Sequence, residues 1–267
     1  MTNKKIIFLA GLHRSGTSLL HTILRSHPKI DGFANTGVPE DEGQFLQSVY
    51  PPAMAFGGPG RFGFNTASFM DETHPLATRK NAIRLFQDCS RYWHTDQAYL
   101  LEKSPPNLVR TRFLQHLFPQ ACFVVILRHP IAVAYATQKW SRTSLVSLIE
   151  HSLRCYERFW RDAQYLRRVY VLRYEDFVEE PAAGLERLLN WIGVGPMPLE
   201  QAVRPDINEQ YFQAWEAAQR KPIKRAGWEI VARLRRFEPR ANAFGYSLRQ
   251  PRVLLPLNFP WPHSPAA

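Results

Sequence analysis

The stretch FLAGLHRSGTSLLHTIL, residues 8–24, decides how the rest of the chain is read. The run before it, KIIFLA at 5–10, is continuously apolar, as a strand buried on both faces is. It enters Gly11 directly; after four intervening residues comes Gly16, followed by Thr17 and Ser18. Leu19, Leu20, Ile23 and Leu24 then recur at helical spacing until Ser26, His27 and Pro28 stop the helix. A strand, a glycine-bounded loop and a helix form a phosphate-binding arrangement, with backbone N–H groups cradling an anion at the helix N-terminus. The nucleoside-triphosphate version, GxxxxGK[ST], places lysine directly after the second glycine. Here that place is Thr17, and the nearest cation is Arg14 inside the loop. The question is which anion such a loop holds.

Alternating strands and helices continue downstream. AYLLEK at 98–103 and ACFVVILR at 121–128 read as core strands, and Val169–Leu172 as a short one. Helices are expected over Thr78–His94, Asn107–Phe118, Pro130–Trp140, Thr143–Arg167 and Pro181–Ile192, the last closed by Gly193. This alternation predicts an α/β, P-loop-like three-layer fold: a mostly parallel central sheet flanked by helices. Residues 35–75 are rich in glycine and proline without clean periodicity, as a functional loop or lid is. We expect a single domain over 1–250 carrying this insert, followed by a proline-rich tail at 251–267.

The chain of 267 residues carries a formal net charge of +11, which points to an anionic partner. No apolar run is long enough for a membrane span. The first strand begins too early for a signal peptide, so the expected location is the cytoplasm. Cys89, Cys122 and Cys155 are odd in number and widely spaced, as reduced thiols are. No clustered ligand spacing appears, and no metal is expected.

Ligands of open parallel sheets gather at the carboxyl ends of the strands. There the sequence places Gly11–Gly16, Lys103 and Arg128. A magnesium-dependent phosphoryl-transfer site often shows an acidic residue at such a strand end. Cations stand there instead, suited to neutralising a polyanion directly through charge-assisted hydrogen bonds.

Together GLHRSGTSLL (11–20), LLEKSPPN (100–107) and VVILRHPIAVA (124–134) resemble the sulfotransferases that use 3′-phosphoadenosine 5′-phosphosulfate (PAPS). The likeness is to the branch of tyrosylprotein and bacterial sulfotransferases, from about Ile6 to Trp191 and more weakly to Leu248. It implies that Arg14, Ser15, Gly16, Thr17 and Ser18 bind the 5′-phosphosulfate and Arg128 the 3′-phosphate. Where many relatives complete the 3′ site with serine, this chain has Ala136, with Thr137 beside it as a substitute. Tyr174, in VLRYEDF, matches a family position near the nucleotide.

Sulfuryl transfer, like phosphoryl transfer, relies on positioning and on stabilising charge at the leaving oxygen. Arg14 and Lys103 are assigned that stabilisation. Arginine stays protonated at neutral pH, so Lys103 is the group to support the departing oxygen with a proton. The acceptor hydroxyl needs a base. The cluster GVPEDEGQ (37–44) offers Glu40, Asp41 and Glu42, and close carboxylates raise one another's pKa. The similar branch uses a loop glutamate here; Glu42 is the first choice and Glu40 the second. His13 and His129 are alternative bases.

The partners so implied are the nucleotide donor and a hydroxyl-bearing acceptor: sugar, phenol, lipid or peptide. Aromatics of the insert, Tyr50, Phe62 and Phe64 among them, suit either a lid over that acceptor or a satellite core. Two other readings compete. A divergent P-loop nucleotide kinase lacks support from the loop. A non-catalytic anion or nucleic-acid binder would need a continuous basic stripe, whereas these basic residues are scattered and no nucleic-acid partner is expected.

Overall fold

The computed structural model describes residues 4–220 and 225–257, with backbone alone for 225–231. Five strands form one all-parallel sheet: β1 (Lys5–Gly11), β2 (Ile30–Gly32), β3 (Tyr99–Lys103), β4 (Cys122–Leu127) and β5 (Val169–Arg173), ordered β2-β3-β1-β4-β5. Helices cover both faces, so strand residues are buried alternately to either side. Ile6, Phe8, Ala10, Phe123 and Val125 enter one core; Ile7, Leu9, Leu101, Val124 and Ile126 enter the other. That two-sided burial is why β4, and β1 after Lys5, are continuously apolar.

On the second face lie α1 (Thr17–Arg25), α6 (Tyr174–Glu179) and α7 (Pro181–Ile192), contributing Leu20, Ile23, Phe177 and Leu188. The first face is covered by α2 (Arg79–Ser90), α3 (Thr111–Leu117), α4 (Pro130–Ser141) and α5 (Leu145–Ala163), with α8 (Glu209–Arg220) and α9 (Arg225–Asn242) beyond. The expected helix over 107–118 is divided. A 3-10 turn spans Pro105–Val109, and α3 begins only after Arg110, whose ψ of 23° with φ −140° breaks the helix. Prolines open that turn, and the Asn107 side chain is tied to Glu102 in place of a helical surface.

The insert is built of short 3-10 turns, at Pro39–Asp41, Gly43–Phe45, Ala53–Phe56, Phe62–Phe64 and Thr66–Ser68. Tyr50 and Phe62 are buried in the first core, and Phe56 and Phe69 pack against it. These aromatics therefore make a core extension; Phe64 is the one of them left exposed. The beginning of the tail is also tied down. Tyr246 bridges Leu254, and Leu255 accepts a hydrogen bond from Arg173 at 2.6 Å. The rest of the proline-rich stretch, 258–267, lies outside the described residues.

The sheet order positions the site. From β1 the chain moves toward β2 and β3, whereas from β4 it moves to β5 on the other side. Adjacent strands whose connections diverge leave a crevice at their carboxyl ends. Gly11 stands opposite Ile126 there, and Leu9 opposite Lys103, so the loop, Lys103 and Arg128 share one edge.

Candidate active site

The phosphate-type loop turns on two left-handed residues, Arg14 (φ 69°) and Gly16 (φ 101°). Glycine is required at Gly16 twice over: by its φ, and because a Cβ would lie 2.7 Å from the Tyr174 ring. Gly11 is confined by β4, since a Cβ would stand 2.7 Å from the Ile126 carbonyl and 2.5 Å from Ser15 Oγ. Ser15 thus turns its hydroxyl inward, fully buried, and shapes the loop. Gly16, Thr17 and Ser18 open α1, where a helix leaves its first N–H groups without intrahelical acceptors.

These residues form one wall of a cleft of about 320 Å³. Arg14, Arg128, Ala136 and Tyr174 also line it, and Glu40 and Glu42 come from the insert. Arg14 is exposed, its guanidinium 4.4 Å from the Trp140 ring centre. Arg128 is held rigidly: Nε and Nη2 donate to Asn208 Oδ1 at 3.0 and 2.6 Å, and Nη1 donates to the Arg14 carbonyl at 2.7 Å. Its guanidinium stacks 4.3 Å from the Tyr174 ring centre. Five guanidinium N–H donors less these three leave two for an anion.

On the opposite wall Glu42 is 5% exposed, and burial raises its carboxyl pKa against the opposing charge of Lys103 at 3.7 Å. Gln44 Nε2 also donates to Glu42. Lys103, fully buried, donates to the Glu40 carbonyl; burial lowers its pKa, while Glu42 and Glu40 oppose the shift. Glu40 is exposed and accepts from Ser18 Oγ at 3.0 Å. Glu40 and Asp41 both adopt left-handed backbone, at φ 54° and 49°, a strained pair held by Thr36, whose N and Oγ1 donate to Asp41 Oδ1.

Behind them Glu102, buried, has its pKa pushed up to about 7 by desolvation, although Ser104 and Asn107 donate to it.

Of the residues expected from the sequence, Arg14, Gly16, Thr17, Ser18, Arg128, Tyr174, Glu40 and Glu42 meet around the cleft. Lys103 sits behind the two glutamates. Thr137 lies elsewhere: Ala136 faces the cleft, while Thr137 lines a small cavity beneath Gly60 with Leu148 and His151, its Oγ1 without a partner among the described residues. His129 caps α4: Nδ1 accepts from Ile131 N, so Nε2–H donates to the Ser247 carbonyl. Burial lowers its pKa to about 3. His13 is held near 3 by burial and by the Lys103 charge, its ring edge-on to Phe62.

Residues 7–198, most of the chain, match the model described as "Sulfotransferase family". The chain belongs to the sulfotransferase family. One curated relative, protein-tyrosine sulfotransferase 2 of Gallus gallus, is 24% identical over 205 residues, covering 71% of this chain. The match takes in about half, 51%, of that relative's length. Among solved structures, sulfotransferase STF1 of Mycobacterium tuberculosis H37Rv superposes with a TM-score of 0.50 at 15% identity, over 78% of this chain and 70% of that one. The sulfotransferase domain of the curacin biosynthetic pathway gives 0.47 at 16% identity, over 87% and 98%.

Sequence reasoning missed several residues of this cleft. Asn208 bridges Arg128 to Glu175, donating to the Glu175 carboxylate at 2.7 Å. Arg204 and Ile207, from the segment leading into α8, and Tyr211, in its first turn, also line the cleft. Gln44 and Ser104 were visible only as neighbours of chosen residues. No local pattern marks Asn208, 80 residues from the arginine it holds, and although Gln44 and Ser104 stand two residues from Glu42 and Glu102, only the fold aims them.

Proposed function

We propose that the chain transfers a sulfuryl group from PAPS to a hydroxyl-bearing acceptor by in-line displacement. The supporting observation is the single cleft whose one wall is an anion-binding helix start with Arg14 and Arg128, and whose other wall is a pair of glutamates. The 5′-phosphosulfate would lie on Gly16, Thr17 and Ser18 with Arg14, the loop being shaped by Ser15. Arg128 would take the 3′-phosphate with its two remaining N–H donors. Tyr174, stacked between Gly16 and Arg128, would keep both in place.

Glu42 would accept the acceptor's proton as its oxygen attacks sulfur; the bond from sulfur to the bridging oxygen breaks, and the nucleotide leaves as adenosine 3′,5′-bisphosphate. Burial favours a proton on Glu42, which suits a base that must hold one. Lys103 would stabilise the departing oxygen, worth roughly 3 kcal/mol by analogy with a single oxyanion donor. In that role it exchanges the Glu40 carbonyl for the bridging oxygen, a swap eased by the strain at Glu40 and Asp41. Activity requires Glu42 ionised and Lys103 protonated, so the pH–rate profile is a bell. Its acid limb stands above the ordinary carboxylate range and its alkaline limb below the ordinary lysine range.

The test is calorimetric titration with adenosine 3′,5′-bisphosphate and 5′-AMP, on wild type and Arg128→Ala, with thermal melts checking the fold. Expected is binding that needs the 3′-phosphate and weakens about 30-fold or more in the variant, the ~2 kcal/mol of a charge-assisted contact. Equal binding of 5′-AMP, or of neither nucleotide, would sink the donor assignment. A screen with labelled PAPS then seeks the acceptor among sugars, phenols, lipids and peptides. Tyrosine-bearing peptides come first, given the name of the Gallus gallus relative.

A further inference from the structure

We propose that Gln44 is a positioning residue for Glu42, aiming its carboxylate through a side-chain amide that can point only one way. The inference rests on the reading of Glu42 as the base. Gln44 is 1% exposed on the turn Gly43–Phe45. Its Oε1 accepts the Ala53 N–H at 2.8 Å, and its Nε2 donates to Glu42 Oε2. Turning the amide over would set NH2 against N–H and a carbonyl oxygen against a carboxylate, leaving both ends repelled. The backbone of Gln44 is anchored as well. Its N–H donates at 2.8 Å to Ser104 Oγ, whose own proton goes to Glu102 at 2.5 Å.

Two structures thereby bear on one carboxylate. From below, β3 holds the Gln44 backbone through Ser104 and Glu102. From the side, Ala53 opens the turn Ala53–Phe56, part of the insert that packs into the first core. The insert thus acts on Glu42 through a single amide. Lys103 and Glu102 of β3 and Glu40 of the same loop are the charged groups that act on Glu42, while Arg14 and His13 reach the cleft from the phosphate loop. The Gln44 donor stabilises the ionised form of Glu42, partly offsetting its desolvation.

The test follows Glu42 itself, without donor or acceptor. In protein carrying ¹³C-carboxyl glutamate, the Glu42 resonance is assigned by its loss in Glu42→Gln and titrated in wild type, Gln44→Met and Gln44→Glu. Losing the donor should raise the Glu42 midpoint by about half a pH unit or more in Gln44→Met, and a facing carboxylate should raise it by over about one unit in Gln44→Glu. Ala53 amide exchange should speed up in Gln44→Met and stay slow in Gln44→Glu, which keeps the acceptor and serves if the methionine variant fails to fold. A Glu42 midpoint unmoved in a folded variant would overturn the proposal. Failure of the base reading shows separately, as full transfer by Glu42→Gln whatever the titrations give.

Discussion

The two walls of the cleft are built by different means. The donor wall hangs from strand ends: parallel register sets Gly11 beside Ile126 and Leu9 beside Lys103, and the loop follows from there. The carboxylate wall belongs to a segment of 3-10 turns with three left-handed non-glycine residues, Asn35, Glu40 and Asp41. Its geometry depends on a few buried or half-buried side-chain hydrogen bonds, from Gln44, Thr36 and Lys103. One wall inherits its precision from the sheet, and the other obtains it from individual polar contacts. Damage to the first is therefore expected to appear as lost nucleotide binding, and damage to the second as lost chemistry or altered pH dependence.

Lys103→Met tests that division most severely. Lys103 lies at the end of a donor-wall strand yet serves the carboxylate wall. Transfer should fall about 150-fold, the ~3 kcal/mol of a lost transition-state donor, while adenosine 3′,5′-bisphosphate still binds. Single-turnover transfer of labelled sulfate to the acceptor found in the screen, beside calorimetry, reads both. If binding falls in proportion to rate, the division of labour is wrong.

Next in size is Glu102, whose folded pKa is raised from 4.5 to about 7. The folded state holds this proton more tightly than the unfolded chain does. Its stabilisation is complete below pH 4.5 and is lost as pH rises through about 7. Glu102→Gln keeps the group neutral, and the Asn107 amide can turn to offer its unpartnered Oδ1. Denaturant melts should show the variant more stable by on the order of 2–3 kcal/mol at about pH 8, with little difference near pH 4.5. Equal stability at both pH values would mean that Glu102 carries no raised pKa.

Asn208→Ala removes the acceptor of two Arg128 N–H groups and the donor to Glu175. It should cost about 2 kcal/mol of stability, and donor affinity should drop while the pH–rate profile of the carboxylate wall stays in place. Displaced pH limbs would show the two walls to be coupled through Arg128. The smallest effect belongs to Gly16→Ala, strained by φ 101° and by the contact with Tyr174. About 1–2 kcal/mol of stability should be lost, with weaker nucleotide binding in calorimetry and an unaltered Glu42 titration.

How much could be read beforehand follows the same division. The phosphate loop, Lys103 and Arg128 were legible because a buried parallel strand announces itself by an apolar run, and the residues after it must stand at one edge. The Glu40–Glu42 cluster was legible as a group of carboxylates near the loop, and both line the cleft, but their aim was not legible. The sequence also left open whether the insert's aromatics formed a lid, and burial of Tyr50 and Phe62 answers that with a core extension. Thr137 shows the limit of counting along a helix: one position from Ala136 turns a side chain about 100° away, here out of the cleft and under Gly60.

By itself, then, the sequence determined the alternation of strand and helix, the parallel sheet, the glycine-bounded loop at the start of α1 and the cations at the strand ends. All of these follow from local periodicity and from the rule that strand ends gather ligands. Tertiary structure alone decided what holds those groups: Asn208 on Arg128, Gln44 on Glu42, and Lys103 beneath Glu40. Two of these pairs are 63 and 80 residues apart, and even Gln44, two residues from Glu42, is aimed by its contact with Ala53, so the arrangement exists only once the fold has formed.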